Sequence, residues 1–211
     1  MAPRKEILEY IDSYLNVEEF DDYCNNGLQV EGKEEITTIV TGVSASARLF
    51  EEAIKLGADM ILVHHGLFWK NDPVPFSVTG IERNRLALLI KNDINLAGYH
   101  LPLDAHPDIG NNALLVKALG LQSPEAVDVG FIAHSPTPVA FERFVNELNE
   151  SLWTNSLSFP FGSQQVLKVL IISGSAAFDY PLAVQHGADT FITGEIKESL
   201  VRKIEEEQLN L

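Results

Sequence analysis

The sequence predicts an α/β fold, and three observations carry that expectation. A β-branched run from Ile36 to Val43, a helix through Leu49, Phe50, Ala53 and Ile54 closed by Gly57, and a second apolar run from Met60 to His64 follow one another through short turns. That is the pattern of a βαβ crossover with parallel strands. The segment Ala53-Ile54-Lys55-Leu56-Gly57-Ala58-Asp59 then recurs as Ala183-Val184-Gln185-His186-Gly187-Ala188-Asp189, and at the same offset of 130 residues Thr38 to Val43 lies over Lys168 to Ser173 without a gap. Finally, 211 residues with 45% apolar and 21% charged side chains form an ordinary globular composition, which excludes disordered, collagenous and coiled-coil chains. The length suits one large α/β domain or two small ones. The recurrence has two readings: duplication of an ancestral βαβ half, or a common α/β turn in which Gly ends a helix in a left-handed conformation and Asp leads into a strand. Under duplication His65 superposes on Glu195, both at carboxyl ends of equivalent strands, where sites gather in open α/β sheets.

The elements follow in order. Ile7, Leu8, Ile11, Tyr14 and Leu15 share one face of an opening helix started near Pro3. Asp21, Asp22, Asn25, Asn26 and Gly27 read as a loop, and Ser44 or Ser46 caps the helix of the first βαβ unit. After the turn-rich Asn71-Asp72-Pro73-Val74-Pro75 a helix runs through Leu86, Leu88, Leu89 and Ile90, a third strand spans Ile94 to Tyr99, and a short helix spans Asn112 to Leu119 before Gly120. The second half opens with a strand from Val129 to Ala133. Thr137 is expected to cap a helix with Pro138 at its first position and a stripe of Phe141, Phe144, Val145 and Leu148. Ser156 to Gly162 is loop, Val166 to Ile172 strand, Pro181 to His186 helix, Thr190 to Thr193 strand, and Lys197 to Gln208 a final charged helix.

Thirty acidic against fifteen basic residues give a net charge of −15. Such a surface repels phosphate backbones and anionic lipid, and no dense Lys/Arg cluster overrides it, so nucleic acid is not an expected partner. The single cysteine, Cys24, fits a reducing compartment and reads as a small packed residue. No apolar run has membrane-spanning length and the N-terminus has no signal-peptide core, so a cytoplasmic protein without membrane contact is expected.

Three constellations are candidates for chemistry. His64-His65 ends a strongly apolar strand and precedes Gly66, which permits close approach. Adjacent strand residues point to opposite faces, so the pair suits two neighbouring ions better than one; its bland alternative is a hydrogen-bonded core pair. Tyr99-His100-Leu101-Pro102-Leu103-Asp104-Ala105-His106-Pro107 offers His100, Asp104 and His106 within a rigid stretch, a nitrogen and oxygen mixture suited to zinc, iron, manganese or similar divalent ions. Asp104, after an apolar Leu-Pro-Leu, reads as a ligand; His106, before proline in a polar turn, reads as exposed. Thr193-Gly194-Glu195 stands at another strand end, with capping of the last helix as its alternative role. Ser173-Gly174-Ser175 lacks a P-loop lysine, His134 and His186 stand isolated, and the serine-hydrolase elbow and the H-E-x-x-H helix are absent.

With those residues in view, the chain resembles the YbgI-like family, also called NIF-three-like, domain of unknown function 34, or GTP cyclohydrolase 1 type 2 homologues. The matching stretches are Asn25-Asn26-Gly27-Leu28-Gln29-Val30, Gly57-Ala58-Asp59 through His64-His65-Gly66-Leu67-Phe68-Trp69-Lys70, Tyr99 through Pro107 with Gly110-Asn111-Asn112-Ala113, and Gly187-Ala188-Asp189 through Thr193-Gly194-Glu195. The resemblance implies two similar α/β halves with mixed or parallel sheets, related by a pseudo-twofold (here 1–125 and 126–211), a dinuclear metal site between them, and a homohexameric ring. It implies that His64 and His65 each bind a different ion and that Asp104 binds one of them. His100 then orients a ligand or moves a proton, and Glu195 stands in for a bridging carboxylate. The family pattern continues to a strand and a Gly-His-x-x-x-Glu motif, whereas this sequence stops at Leu211 with no histidine beyond His186, so fewer than the family's two ions per subunit are expected. The function expected is metal-dependent, hydrolase-like action on an unidentified small molecule, with a non-catalytic metal-binding scaffold as the alternative. Nothing in these residues reads a guanine base.

Overall fold

Ser46 caps the first crossover helix by accepting from the Leu49 amide at 3.3 Å, and that helix buries Phe50 and Ala53 completely. Around this unit the computed structural model, which describes residues 1–74 and 77–211, forms two compact units, Met1–Leu103 and Asp104–Leu211. The first contains β1 (Ala2–Pro3), α1 (Arg4–Tyr14), β2 (Gly27–Val30), β3 (Glu35–Ile36), β4 (Ile39–Ser44), α2 (Ala47–Lys55), β5 (Met60–His65), α3 (Gly80–Lys91) and β6 (Asn95–Gly98), and a short α4 (Leu101–Ala105) carries the chain onward. Its main sheet has the order β2-β6-β5-β4, with β4, β5 and β6 parallel and β2 antiparallel at the edge. Phe50, Ile61, Leu89, Ile94 and Leu96 form the core beneath it. The edge strand β2 starts at Gly27, the last residue of the stretch that reads as loop, and was not recognised as a strand. The turn expected over Asn71 to Pro75 is described as far as Val74, and Pro75 lies outside the described residues.

The second unit contains α5 (Asn111–Ala118), β7 (Gln122–Val127), β8 (Gly130–Ala140), α6 (Phe141–Leu152), β9 (Gln165–Ile172), α7 (Tyr180–Gln185), β10 (Thr190–Thr193) and α8 (Glu198–Glu206). Its sheet runs β10-β9-β8-β7, with β10 and β9 parallel and the rest antiparallel. Sequence reading placed the division at 125/126. The structure divides the chain earlier, because α5 packs Val116 into the core formed with Phe131, Phe144 and Val169.

The helix expected at Thr137-Pro138 instead starts at Phe141. Residues 137–140 stay in β8, which shifts register against β9 between His134 and Val139 and then pairs Val139 with Val166. Ser135 Oγ donates to the Thr137 carbonyl at 2.7 Å within this irregular stretch, and a bulge tolerates a proline that has no amide proton to donate.

The repeat is structural. Ile39 and Val40 pair with Met60 and Ile61, and Val169 and Leu170 pair with Thr190 and Phe191, the same register displaced by 130. Asp59 Oδ2 accepts from the amides of Thr37 and Thr38 at 2.9 and 3.0 Å, and Asp189 Oδ2 accepts from those of Leu167 and Lys168 at 2.8 Å each. Asn95 accepts from the Gly32 amide and donates to the Lys33 carbonyl; Asn210 does the same with Gly162 and Ser163. A Cβ on Gly32 would stand 2.6 Å from the Asp93 carbonyl oxygen, and one on Gly162 2.1 Å from that of Gln208. A common turn accounts for Gly-Ala-Asp but not for this matched set of distant partners, which favours duplication. Among the described residues no helix is long and apolar enough to cross a membrane.

Candidate metal centre

Strand β5 is held on both sides only as far as Val63, which faces Gly98 on β6 and Gly42 on β4. Beyond that point β4 alone continues the ladder, through Ser44 opposite His65. The Tyr99 amide donates to the Val63 carbonyl at 2.9 Å, so His100 leaves the end of β6 beside the end of β5. Three half-buried imidazoles meet there. Their ring centres are 4.5 Å apart for His64 and His65, 5.0 Å for His64 and His100, and 5.6 Å for His65 and His100. One ring nitrogen from each lies within 4.8 Å of the other two. The alternation rule places His64 and His65 on opposite faces, yet their rings come together at the point where β5 has lost its β6 neighbour.

Each ring is fixed through Nδ1. His64 Nδ1 lies 3.1 Å from the Tyr99 carbonyl, His65 Nδ1 3.0 Å from Ser44 Oγ, and His100 Nδ1 2.8 Å from Asp22 Oδ1. A carbonyl and an ionised carboxylate only accept, so His64 and His100 carry a proton on Nδ1, which in the neutral ring leaves the lone pair on Nε2. Metal-ligating histidines are oriented in this way. The donor set fits a divalent ion: tetrahedral zinc–nitrogen bonds of about 2.0–2.1 Å need nitrogens about 3.3 Å apart, within the bound set by the cluster.

The surroundings are built from residues that sequence analysis did not name as site candidates. Burial pushes the Asp22 carboxyl up, but hydrogen bonds from His100, Cys24, Asn26 and Leu101 outweigh it and hold the group far below the usual carboxylate range. Gln29 accepts from the Leu67 amide at 2.7 Å and donates to the Asn25 carbonyl at 2.7 Å, filling the space beside Gly66, where a Cβ would stand 2.2 Å from its Nε2. Trp69 donates to the Gly66 carbonyl at 3.1 Å and sets its ring edge-on to His100 at 5.1 Å. Cys24 is buried, as its packing role requires, and burial pushes its thiol up. Asn25, Asn26 and Gln29 stand inside the stretch that carries the family resemblance, although Asn25 and Asn26 read locally as loop.

The other candidates belong to the second unit. Asp104 is buried and accepts from Asn111 Nδ2 at 2.7 Å and Ser173 Oγ at 3.3 Å. Glu195 is exposed and takes hydrogen bonds from Ser175 at 3.0 Å and Lys197 at 3.2 Å, which lower its pKa in that order. His106, expected at the surface because it precedes proline in a polar turn, is buried: its Nδ1 accepts from the amides of Asp108 and Ile109 at 3.2 and 3.3 Å.

The model of the family Duf34/NIF3 (NGG1p interacting factor 3) matches residues 2–211. The chain belongs to this family. Duf34/NIF3 relatives include a protein of Yersinia pestis called GTP cyclohydrolase 1 type 2 homolog, 41% identical over 210 residues, which cover 97% of this chain and 83% of that protein. A protein of the same name from Escherichia coli K12 is 40% identical over 212 residues with the same coverage. Among solved structures, protein ybgI, described as of unknown function, superposes with a TM-score of 0.94 at 39% identity, covering 99% of this chain and 85% of that one. A protein from Thermus thermophilus does so with a TM-score of 0.90 at 34% identity, covering 99% and 84%.

Proposed function

We propose that this Duf34/NIF3 member binds divalent metal through His64, His65 and His100, with Asp104 as an anionic oxygen ligand, and uses it in hydrolase-like chemistry on a small molecule. The observation that supports the reading is the gathering of three ring nitrogens within 4.8 Å on rings each anchored at Nδ1. A divalent ion held there supplies Lewis acidity toward a substrate oxygen and lowers the pKa of water. The protein's own part is to hold three imidazoles in place through their Nδ1 contacts, so that little reorganisation accompanies binding. Trp69 adds an aromatic ring beside His65 and His100. The GTP cyclohydrolase name of the relatives suggests cyclic amides among the compounds to test. A homohexameric ring in the cytoplasm completes the proposal, with acidic side chains facing solvent.

Metal content of the purified protein, before and after chelation, tests binding; a screen against phosphoesters and cyclic amides tests turnover. Turnover that disappears in His65→Ala and on chelation supports the enzyme. Metal uptake without turnover leaves a scaffold, and absence of uptake refutes the site. Loss of one ion in Asp104→Ala tests the carboxylate ligand, and light scattering tests the ring.

A further inference from the structure

We propose that the second unit carries a receptor slot for one extended, uncharged peptide strand, which enters between β10 and residues 157–159 and runs parallel to β10. The repeat defines the slot. In the first unit β6 lies between two strands: Asn95 pairs with Met60 and Gly98 with Val63 on one side, and Leu96 pairs with Val30 and Gly98 with Gly27 on the other. The second unit begins the same strand with Asn210 and Leu211. Asn210 pairs with Thr190; its amide donates to the Asp189 carbonyl at 3.1 Å, and its carbonyl accepts the Phe191 amide at 2.8 Å. Phe159 and Leu211 each donate to the other's carbonyl, at 2.7 and 3.1 Å. Residues 157–160 correspond to Gly27–Val30 of β2 at the offset of 130.

Both walls extend past these two residues. β10 ends its sheet, and backbone groups alternate sides along a strand. Phe191 turns its amide to Asn210, so Thr193 turns its amide and carbonyl the same way. Its counterpart Val63 shows the use of that edge, since the Val63 carbonyl accepts the Tyr99 amide at 2.9 Å. Between the walls lies a cavity of about 520 Å³, lined by Phe144, Leu148, Leu157, Phe159 and Ile192 among others. Leu211 packs toward Phe191 and Leu200, whereas Ile192 packs toward Phe144 and Leu148. A strand entering next to Leu211 therefore turns its first side chain onto α6. Glu195 is the only charged residue among the described lining, which suits an uncharged strand. Two backbone edges and an apolar bed are what a strand added to a sheet requires: main-chain bonds for affinity and pockets for alternate side chains.

The probe is an acetylated and amidated hexapeptide alternating valine and threonine, with a backbone N-methylated copy as control. Both are added to the unmodified 211-residue protein, and amide hydrogen exchange is read residue by residue by NMR. The Thr193 amide and those of 157–158 are expected to exchange about tenfold more slowly at about 1 mM peptide, as a Kd of about 0.1 mM gives. The N-methylated copy, which lacks the donors, is expected to change nothing. No protection at that concentration overturns the proposal. So does protection that the N-methylated copy also produces, or that falls outside 157–158 and 191–193. Protection of Thr193 that rises with protein concentration in the absence of peptide assigns the slot to a second copy of the chain and overturns the peptide reading as well.

Discussion

Asp59→Ala removes the carboxylate that joins the start of β5 to the segment before β4, and its cost can be worked out in two ways. The carboxylate accepts from the Thr37 and Thr38 amides at 2.9 and 3.0 Å and from Lys33 Nζ at 2.6 Å. Lys33 is 45% exposed, so its ion pair contributes at most about 1 kcal/mol; two charge-assisted amide bonds contribute more, although water can reach those donors after truncation. In the second route, the bond from Lys33, then that from Thr37, then the one from Thr38, working against burial, hold the pKa at about 2, from 3.8. At about 1.36 kcal/mol per unit that lowering corresponds to roughly 2 kcal/mol. The two routes converge on about 2–3 kcal/mol near neutrality. Because the folded pKa is depressed, this stability is present above about pH 4 and is lost as pH falls toward about 2. Urea unfolding followed by Trp69 fluorescence in a Trp153→Phe background reports the first unit alone; the chain has two tryptophans, and Trp153 is 95% exposed. The wild-type advantage should shrink between about pH 5 and pH 2.5. A difference that stays constant over that range, or is already below about 0.5 kcal/mol at pH 6, refutes the reasoning.

Zinc at about 100 times its Kd should stabilise the first unit by about 2.7 kcal/mol, seen as a raised urea midpoint that His64→Ala abolishes. Ser44→Ala removes the partner of His65 Nδ1 and should weaken metal binding by about tenfold with little change in stability, as calorimetric titration would show. Gly66→Ala drives a methyl group into Gln29 and should cost about 1–3 kcal/mol, read in the same urea assay. Asn210→Ala removes a fully buried side chain that ties Gly162 and Ser163 to the β10 edge, and thermal unfolding of the second unit should fall by the equivalent of about 2–3 kcal/mol.

The strand–helix–strand units were legible because their signals are local: β-branched runs, a serine cap, a glycine stop. The edge strands β2 and β7 were not, whereas the edge strands β4 and β10 were. β7 reads Gln122-Ser123-Pro124-Glu125-Ala126-Val127, is exposed along most of its length, and has no apolar alternation to declare it; only pairing with β8 makes it a strand. Thr137-Pro138 carries a valid local helix-start signal that a distant register overrides. The site divides in the same way. His64, His65 and His100 stood out by residue type, whereas Asp22 looked like one acid in a polar loop, since the partners that give it meaning, His100 and Leu101, lie 78 and 79 residues further on.

Duplication explains where the chemistry sits but not what it is. The copies share strand register, the Asp59 and Asp189 turns and the Asn95 and Asn210 ties, yet their strand ends differ. In the first unit β5 runs on to His65, still paired with Ser44. In the second, β10 ends at Thr193, the Gly194 amide turns to the Gly174 carbonyl at 2.9 Å, and Glu195, the repeat partner of His65, is 58% exposed beside Lys197. A polar residue at the carboxyl end of a parallel strand is thus not enough to gather a cluster like that of His64, His65 and His100. The first unit adds two things that the repeated strand–helix–strand frame does not contain: His100, carried on the extension of β6, and the Asp22–Asn26 segment that grips it. Both reach the site from outside the frame, so substitutions in these added segments should alter metal affinity while leaving the shared β4-α2-β5 packing intact. Substitutions at Asp59 or Asn95 should do the reverse, and stability and Co²⁺ affinity measured on the same variants separate the two classes.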